Sequence, residues 1–402
     1  MIKELKKSVV NFYKECDNPT FFFALAAVNQ VVGFTPSIPS VFYYVILIGY
    51  AFYCLCTKHS LNGVLAAFLL YVPIGILLTQ PNSQFKPWER YILFSLMLIA
   101  NSPLLQGNKN ILYRSRILRI ILFSCAFLGI GSFFCRFLGI NYGSLGLNET
   151  GVGLFGGLTN HSMLLGPIAG IGSLYMSTMW YNTKRKIFIL LAFCCLLSVM
   201  FSASRSSLMA TVVANIVMLY KMSGTGSRFL KIGVILAVIG SLTFPLWGGA
   251  LDDVVAKQNA NVEAGGSFES RSSKWEARIE EFQSDPLFGV GFASVDLSNV
   301  KAMDDTNGDS GVVETGSSWL CIFSMTGLIG AFLLLPVFYK SFITAWKSRT
   351  KYASVVVGLL VLFYVHMVAE GYVLAGGSFL AFCLWLSVGV GYDCKYEKII
   401  SL

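Results

Sequence analysis

Charge is scarce in this chain. Of 402 residues only 13% are Asp, Glu, Lys or Arg, while 55% are hydrophobic and the mean hydropathy is +0.66. A soluble globular domain could not keep that much apolar surface dry, so that class is excluded. Apolar/polar alternation is weak along the hydrophobic runs, which excludes a lipid-facing barrel. Histidine is scarcer still, with three residues, and no Cys or acidic cluster has ligand spacing. Neither a dedicated metal site nor a cofactor is expected. Ten cysteines are present, but eight (Cys54, Cys56, Cys125, Cys135, Cys194, Cys195, Cys321 and Cys383) lie in apolar runs. Cys16 and Cys394 lie on the expected cytoplasmic side, and the long hydrophilic stretch has none, which argues against a disulfide framework. No internal repeat is visible, against the pattern of inverted-repeat transporters. Nothing resembles an interleaved aromatic and basic nucleic-acid surface, so the net charge of +9 reports orientation instead.

What is present is a series of long apolar runs. About twelve are near the length needed to cross ~30 Å of hydrocarbon as helices. They fall at roughly 20–36, 39–56, 60–79, 88–104, 117–139, 154–180, 187–204, 206–222, 229–248, 317–339, 352–374 and 376–392. The fold class expected is therefore an all-α integral membrane protein. With the N-terminus inside, twenty-one of the thirty Lys and Arg residues fall on cytoplasmic segments, and the alternation holds from span to span. Three regions follow: helices 1–9 over residues 1–250, an external loop over 251–315, and helices 10–12 with a cytoplasmic tail over 316–402.

The loop holds thirteen of the 21 acidic residues, so polar chemistry is concentrated on one side of the bilayer. Inside it, Ser270 to Phe282 has helical character, with Trp275, Ile279 and Phe282 on one face and charges elsewhere. Ser284-Asp-Pro286 stops the helix, and Leu287-Phe-Gly-Val-Gly291 makes a compact apolar turn.

Ionisable side chains in spans are expensive, so each invites a reason. Four stand near the outer leaflet: Arg136, His161, Arg205 and Glu370. Arg205 sits in Phe201-Ser-Ala-Ser-Arg-Ser-Ser207, where a guanidinium among hydroxyls, including that of Ser206, suits a phosphate. The plainer alternative is an arginine snorkelling to the headgroups. Arg271 and Arg278, seven residues apart beside Lys274 and Trp275, present cations on one helix face for a diphosphate, or else make local ion pairs such as Arg278 with Glu281. Glu314 precedes Thr315-Gly-Ser-Ser-Trp319 where the chain re-enters the membrane. It is either a helix cap or a general base. Glu370, read as lying within its helix, pairs with an arginine or contacts substrate. His161, in Leu158-Thr-Asn-His-Ser162, is a packing residue or a substrate contact, and His366, a turn before Glu370, is equally open.

These pieces in this order resemble the O-antigen ligase and polymerase family of bacterial membrane glycosyltransferases. The likeness rests on Ser202-Ala-Ser-Arg-Ser-Ser207, on Arg271-Ser-Ser-Lys-Trp275 through Pro286-Leu-Phe-Gly-Val-Gly291, and on Ser317-Ser-Trp-Leu320 to Thr326-Gly-Leu-Ile-Gly330. The resemblance implies transfer of a glycan from a polyprenyl diphosphate to an acceptor sugar on the outer face of the inner membrane. Cations would then stabilise the departing diphosphate without a metal. It assigns Arg205 and Arg271 to the diphosphate, with Arg278 as a third cation. Trp275, Ser206, His161 and Glu370 are the expected substrate contacts. Ligases of the family commonly carry a His, often followed by Asn, where the loop re-enters. Glu314 stands there in this chain, which favours a repeat-unit polymerase with Glu314 as its base. Ligation to another acceptor such as a lipid A-core is the near alternative, and a flippase of lipid-linked sugars the distant one. Partners implied are the lipid-linked oligosaccharide, the acceptor glycan, membrane lipid and a chain-length regulator.

Overall fold

The computed structural model describes residues 17–143, 155–227, 229–231, 233, 269–297, 314–350 and 352–396. The described residues form α1 (Asn18–Asn29), α2 (Ser40–Leu55), α3 (Gly63–Thr79), α4 (Pro87–Asn101), α5 (Asn108–Leu138), α6 (Ser162–Thr183), α7 (Ile187–Phe201) and α8 (Arg205–Ser223). Then come α9 (Glu269–Ser284), α10 (Ser318–Lys347), α11 (Ala353–His366) and α12 (Phe379–Asp393). A short antiparallel pair, β1 (Ser60–Leu61) and β2 (Leu105–Gln106), ties the start of α3 to the link between α4 and α5. Three helices, α5, α8 and α10, are long and apolar enough to cross a membrane, and shorter apolar helices accompany them. The expected ninth span at 229–248 and the loop segments 251–268 and 298–313 lie outside the described residues, save for a few positions at the start of that span.

Capping residues in the sequence set where several helices begin. The side chains of Asp17, Asn62, Ser204 and Ser317 each accept a backbone N–H in the first turn of the helix that follows, satisfying donors that no helix can satisfy itself. At the centre stands α12, buried along its whole length and packed against α4, α5, α10 and α11. Around it α5, α6 and α7 approach closely. A side chain at Gly172 would meet the Ala126 backbone at 2.9 Å, and one at Gly129 would meet Ala169 at 3.2 Å. Small residues allow dispersion contacts between backbones where the surrounding lipid offers no hydrophobic drive.

Two departures from the expected spans matter for function. The run 352–374 is not one helix: α11 ends at His366, and residues 367–378 are irregular. Glu370 therefore lies in a non-helical segment, which corrects its reading as a residue within a helix. Freed backbone groups there find partners in a distant serine pair. Ser318 N–H donates to the carbonyls of Met367 (2.9 Å) and Glu370 (3.0 Å), and Ser317 Oγ donates to Met367 O at 3.2 Å. Irregular backbone at membrane depth persists where protein supplies its hydrogen bonds.

The second departure is a break inside α10. Gly327 has φ +61° and ψ −169°, a conformation open to glycine and closed to side-chain-bearing residues. Into that break fits the turn after α9. Val290 N–H donates to Ser324 O at 2.8 Å, and Leu328 N–H donates to Pro286 O at 2.8 Å. Tyr71 Oη donates to Thr326 O at 2.7 Å, and its ring stacks on Phe288. The Pro286-Leu-Phe-Gly turn and the Thr326-Gly-Leu-Ile-Gly330 segment are thus two halves of one joint. It lies nine residues, or ~14 Å, along α10 from its N-terminus.

Candidate active site

Three segments meet around residues 314–318, an irregular return strand leading into α10, two of them directly and one through Glu370. The first is the N-terminus of α8. Ala203, with φ +51°, turns the chain sharply before Ser204 caps the helix, so Arg205 becomes its first residue. Arg205 is half-buried and, among the described residues, has no side-chain partner. The serines beside it are organised. Ser204 Oγ lies 2.8 Å from Ser207 Oγ and 3.3 Å from Ser206 Oγ.

The second segment is the irregular stretch after α11. Ser206 Oγ donates to Glu370 Oε1 at 3.3 Å, and the Glu370 carbonyl accepts from Ser318 Oγ at 2.6 Å. The same Ser318 oxygen accepts from the N–H groups of Tyr372 (2.9 Å) and Val373 (3.2 Å). Beneath this, His366 is buried, with Nε2 3.1 Å from Ser207 Oγ and Nδ1 3.2 Å from Tyr372 Oη. Gly371 sits so close to Thr315 that no side chain would fit between them.

The third is α9, packed against α10. Trp275 Nε1 donates to Gly316 O at 3.2 Å, and Lys274 Nζ pairs with Glu314 Oε2 at 2.8 Å. Of the three residues expected on one apolar face of α9, Trp275 and Phe282 pack toward α10 and its entry, and Ile279 does not. Ala277, Arg278 and Glu281 point inward while Ile279 is exposed. Arg278 Nη2 meets Glu281 Oε1 at 2.8 Å, and that oxygen also accepts from Asp296 N–H at 2.9 Å. Burial pushes the Glu281 carboxyl up to about 7, against the opposing pull of the Arg278 charge and the Asp296 N–H. Arg278 Nε and Nη1, Glu281 Oε2, Thr315 Oγ1 and Ser324 Oγ are buried and unpartnered among the described residues.

The expected site residues thus fall into groups. Glu370, Glu314 and Trp275 gather on the return strand, Ser206 joins them through the Glu370 carboxylate, and Arg205 is its neighbour in sequence. The backbone of Arg271 lies in the first turn of α9, while its side chain is outside the described residues. Arg278 forms the ion pair that the plainer alternative expects, in a dry setting and not a solvated one. Glu314 is exposed and does not cap α10; Ser317 does. His161 caps α6, its Nδ1 accepting from Met163 N–H at 3.1 Å. It stands ~8 Å along α6 from Gly166, which backs onto Ser207. Arg136 lies over the rings of Phe155 (5.5 Å) and Phe201 (5.8 Å), the latter the last residue of α7 before the Arg205 turn.

The Arg205 turn, α9 and the Gly327 joint all fall within one matched stretch: residues 190–335 fit the family model of O-antigen ligase. That places this stretch in the O-antigen ligase and polymerase family. No curated protein matches the chain. The family is one of bacterial inner-membrane proteins with glycosyltransferase-like activity on lipid-linked glycans and acceptors, and the apolar helices agree with it. Sequence reasoning singled out the arginines and Glu370. It read Ser207 only as one more hydroxyl beside Arg205, and it passed over the hydroxyls of Ser318 and Tyr372, which carry no signal until the backbone brings them together. His366 was visible one turn before Glu370, but its partners were not.

Proposed function

We propose that this protein is a polysaccharide polymerase, lengthening a lipid-linked glycan on the outer face of the inner membrane. The observation that carries the reading is the meeting of the Arg205 turn with the return strand through Ser206, Glu370 and Ser318. A cation at a helix N-terminus then stands beside a carboxylate, and the loop helix touches the same return strand. In the proposed step the acceptor hydroxyl oxygen bonds to the anomeric carbon while the bond from that carbon to the diphosphate oxygen breaks. The electron pair leaves on the diphosphate, where Arg205 and Arg271 stabilise it. Glu314 takes the hydroxyl proton, and its Lys274 partner keeps the carboxylate in place. Glu370, Ser206, Trp275 and His161 position sugar groups. Arg278, turned inward onto Glu281, is assigned to hold α9 and not to bind diphosphate.

Polymerisation is preferred to ligation because Glu314 occupies the re-entry position at which family ligases commonly carry a His. The test is incubation of the purified protein with a polyprenyl-diphosphate repeat unit, followed by resolution of the lipid-linked products on a gel. A ladder of lengthening products is expected, lost in Arg271→Ala and in Glu314→Gln. A single product formed on supply of a separate acceptor identifies a ligase, and unaltered substrate carried across a bilayer identifies a flippase.

A further inference from the structure

Five hydrogen-bond contacts join Tyr372, His366, Ser207, Ser204, Ser206 and Glu370 in series. In order, the separations are 3.2, 3.1, 2.8, 3.3 and 3.3 Å. A contact between two oxygens, or between oxygen and nitrogen, needs one proton. The last member, Glu370, is an acceptor when ionised and offers none. Ser206 must therefore spend its only proton on Glu370, Ser204 its proton on Ser206, and Ser207 its proton on Ser204. Ser207 is left as an acceptor toward His366. The carboxylate at one end thus dictates the direction of every bond as far as the buried imidazole.

We infer that His366 Nε2 carries a proton and donates it to Ser207, making His366 a positioning residue that acts through three serines on the Glu370 carboxylate. The opposite polarity, with Ser207 donating to Nε2, leaves four contacts with three hydroxyl protons and breaks the series. Burial sharpens the point. Ser207 is 1% and His366 2% exposed, so water does not compete for the contact between these two residues. The series includes both sequence neighbours of Arg205, Ser204 and Ser206, and its far end holds Oε1 of Glu370. A sugar hydroxyl is the ligand class assigned to this carboxylate. That last assignment rests on the proposed glycosyl transfer. The direction of the bonds does not.

The experiment is ¹⁵N NMR of histidine-labelled full-length protein in lipid nanodiscs, with His366→Gln identifying the resonance among three histidines. Nε2 of His366 is expected to be protonated in the wild type. In Glu370→Gln, whose amide donates as well as accepts, a population with unprotonated Nε2 is expected to appear. An unprotonated Nε2 in the wild type, or an unchanged signal in Glu370→Gln, overturns the inference whatever the protein catalyses. In turnover, His366→Leu is expected to raise the KM for acceptor roughly tenfold with a smaller change in kcat, and His366→Gln, which keeps a donor, to restore it. Equal loss in both variants would also contradict the positioning role. Failure of the wild type to make any product would count against the proposed function alone.

Discussion

Among the described residues two buried arginine–carboxylate pairs stand out, and they are built differently. Arg114 on α5 grips Asp393 at the end of α12 in a fork, with Nε–Oδ2 2.7 Å and Nη2–Oδ1 2.9 Å. Its Nη1 donates to the carbonyls of Ser102 and Leu105. Arg278 joins Glu281 on its own helix through one nitrogen, and among the described residues its Nε and Nη1 have no hydrogen-bond partner. The first pair links residues 279 apart in sequence and has its hydrogen bonds satisfied. The second links residues three apart and is short of partners. Low dielectric strengthens a complete network and penalises an incomplete one. The fully bonded pair is therefore a staple at the end of α12 far from the site. The other is an adjustable seat for the loop helix beside the site.

The comparison breaks most visibly if Arg114 is truncated. Arg114→Met leaves Asp393 buried without its cation, and an unfolding titration in mixed micelles should show a loss of about 3–5 kcal/mol. At the loop helix, the acid lowers the penalty by taking up a proton. The sign follows from the raised carboxyl. The docked helix binds a proton more tightly than the undocked one, so the stabilisation is full below the ordinary value of 4.5. It is lost as pH rises through about 7 and is flat above that. Amide exchange of residues 269–284, corrected for intrinsic rates, should report a change on the order of 3 kcal/mol across that window. Glu281→Gln should abolish it. Arg278→Met alone should loosen α9 by roughly 1–3 kcal/mol, and Arg278→Met with Glu281→Leu should recover most of the loss in the same assay. The smallest effect belongs to Lys274 and Glu314, an ion pair with an exposed carboxylate. Lys274→Ala should change α9 protection by no more than about 1 kcal/mol.

The same contrast marks how far the sequence could be read. Arg278 and Glu281 at i,i+3 foretell an ion pair, and so they pair. Their burial was hidden, because the apolar face marked by Trp275 and Phe282 gives no sign that two charged residues share it. The inward face is set by segments far along the chain, the return strand 314–318 and the turn through Asp296. The end of α11 was hidden for a similar reason. Residues 352–374 are almost uniformly apolar, and what breaks the helix is the Ser317–Ser318 pair, about fifty positions earlier. Glycine and proline motifs were easier. Pro286-Leu-Phe-Gly and Thr326-Gly were legible as punctuation, although their fit into one joint needed the fold. Local chemistry is written locally, whereas burial and partnership across the bundle are not.

The central claim is that the Arg205 turn is where the leaving diphosphate is stabilised. Single-turnover cleavage of a polyprenyl-diphosphate glycan by Arg205→Ala, compared with wild type, tests it most directly. A fall of about 10²–10³-fold in the rate, with unfolding behaviour unchanged, is the result the account predicts. Cleavage at the wild-type rate by Arg205→Ala would contradict it.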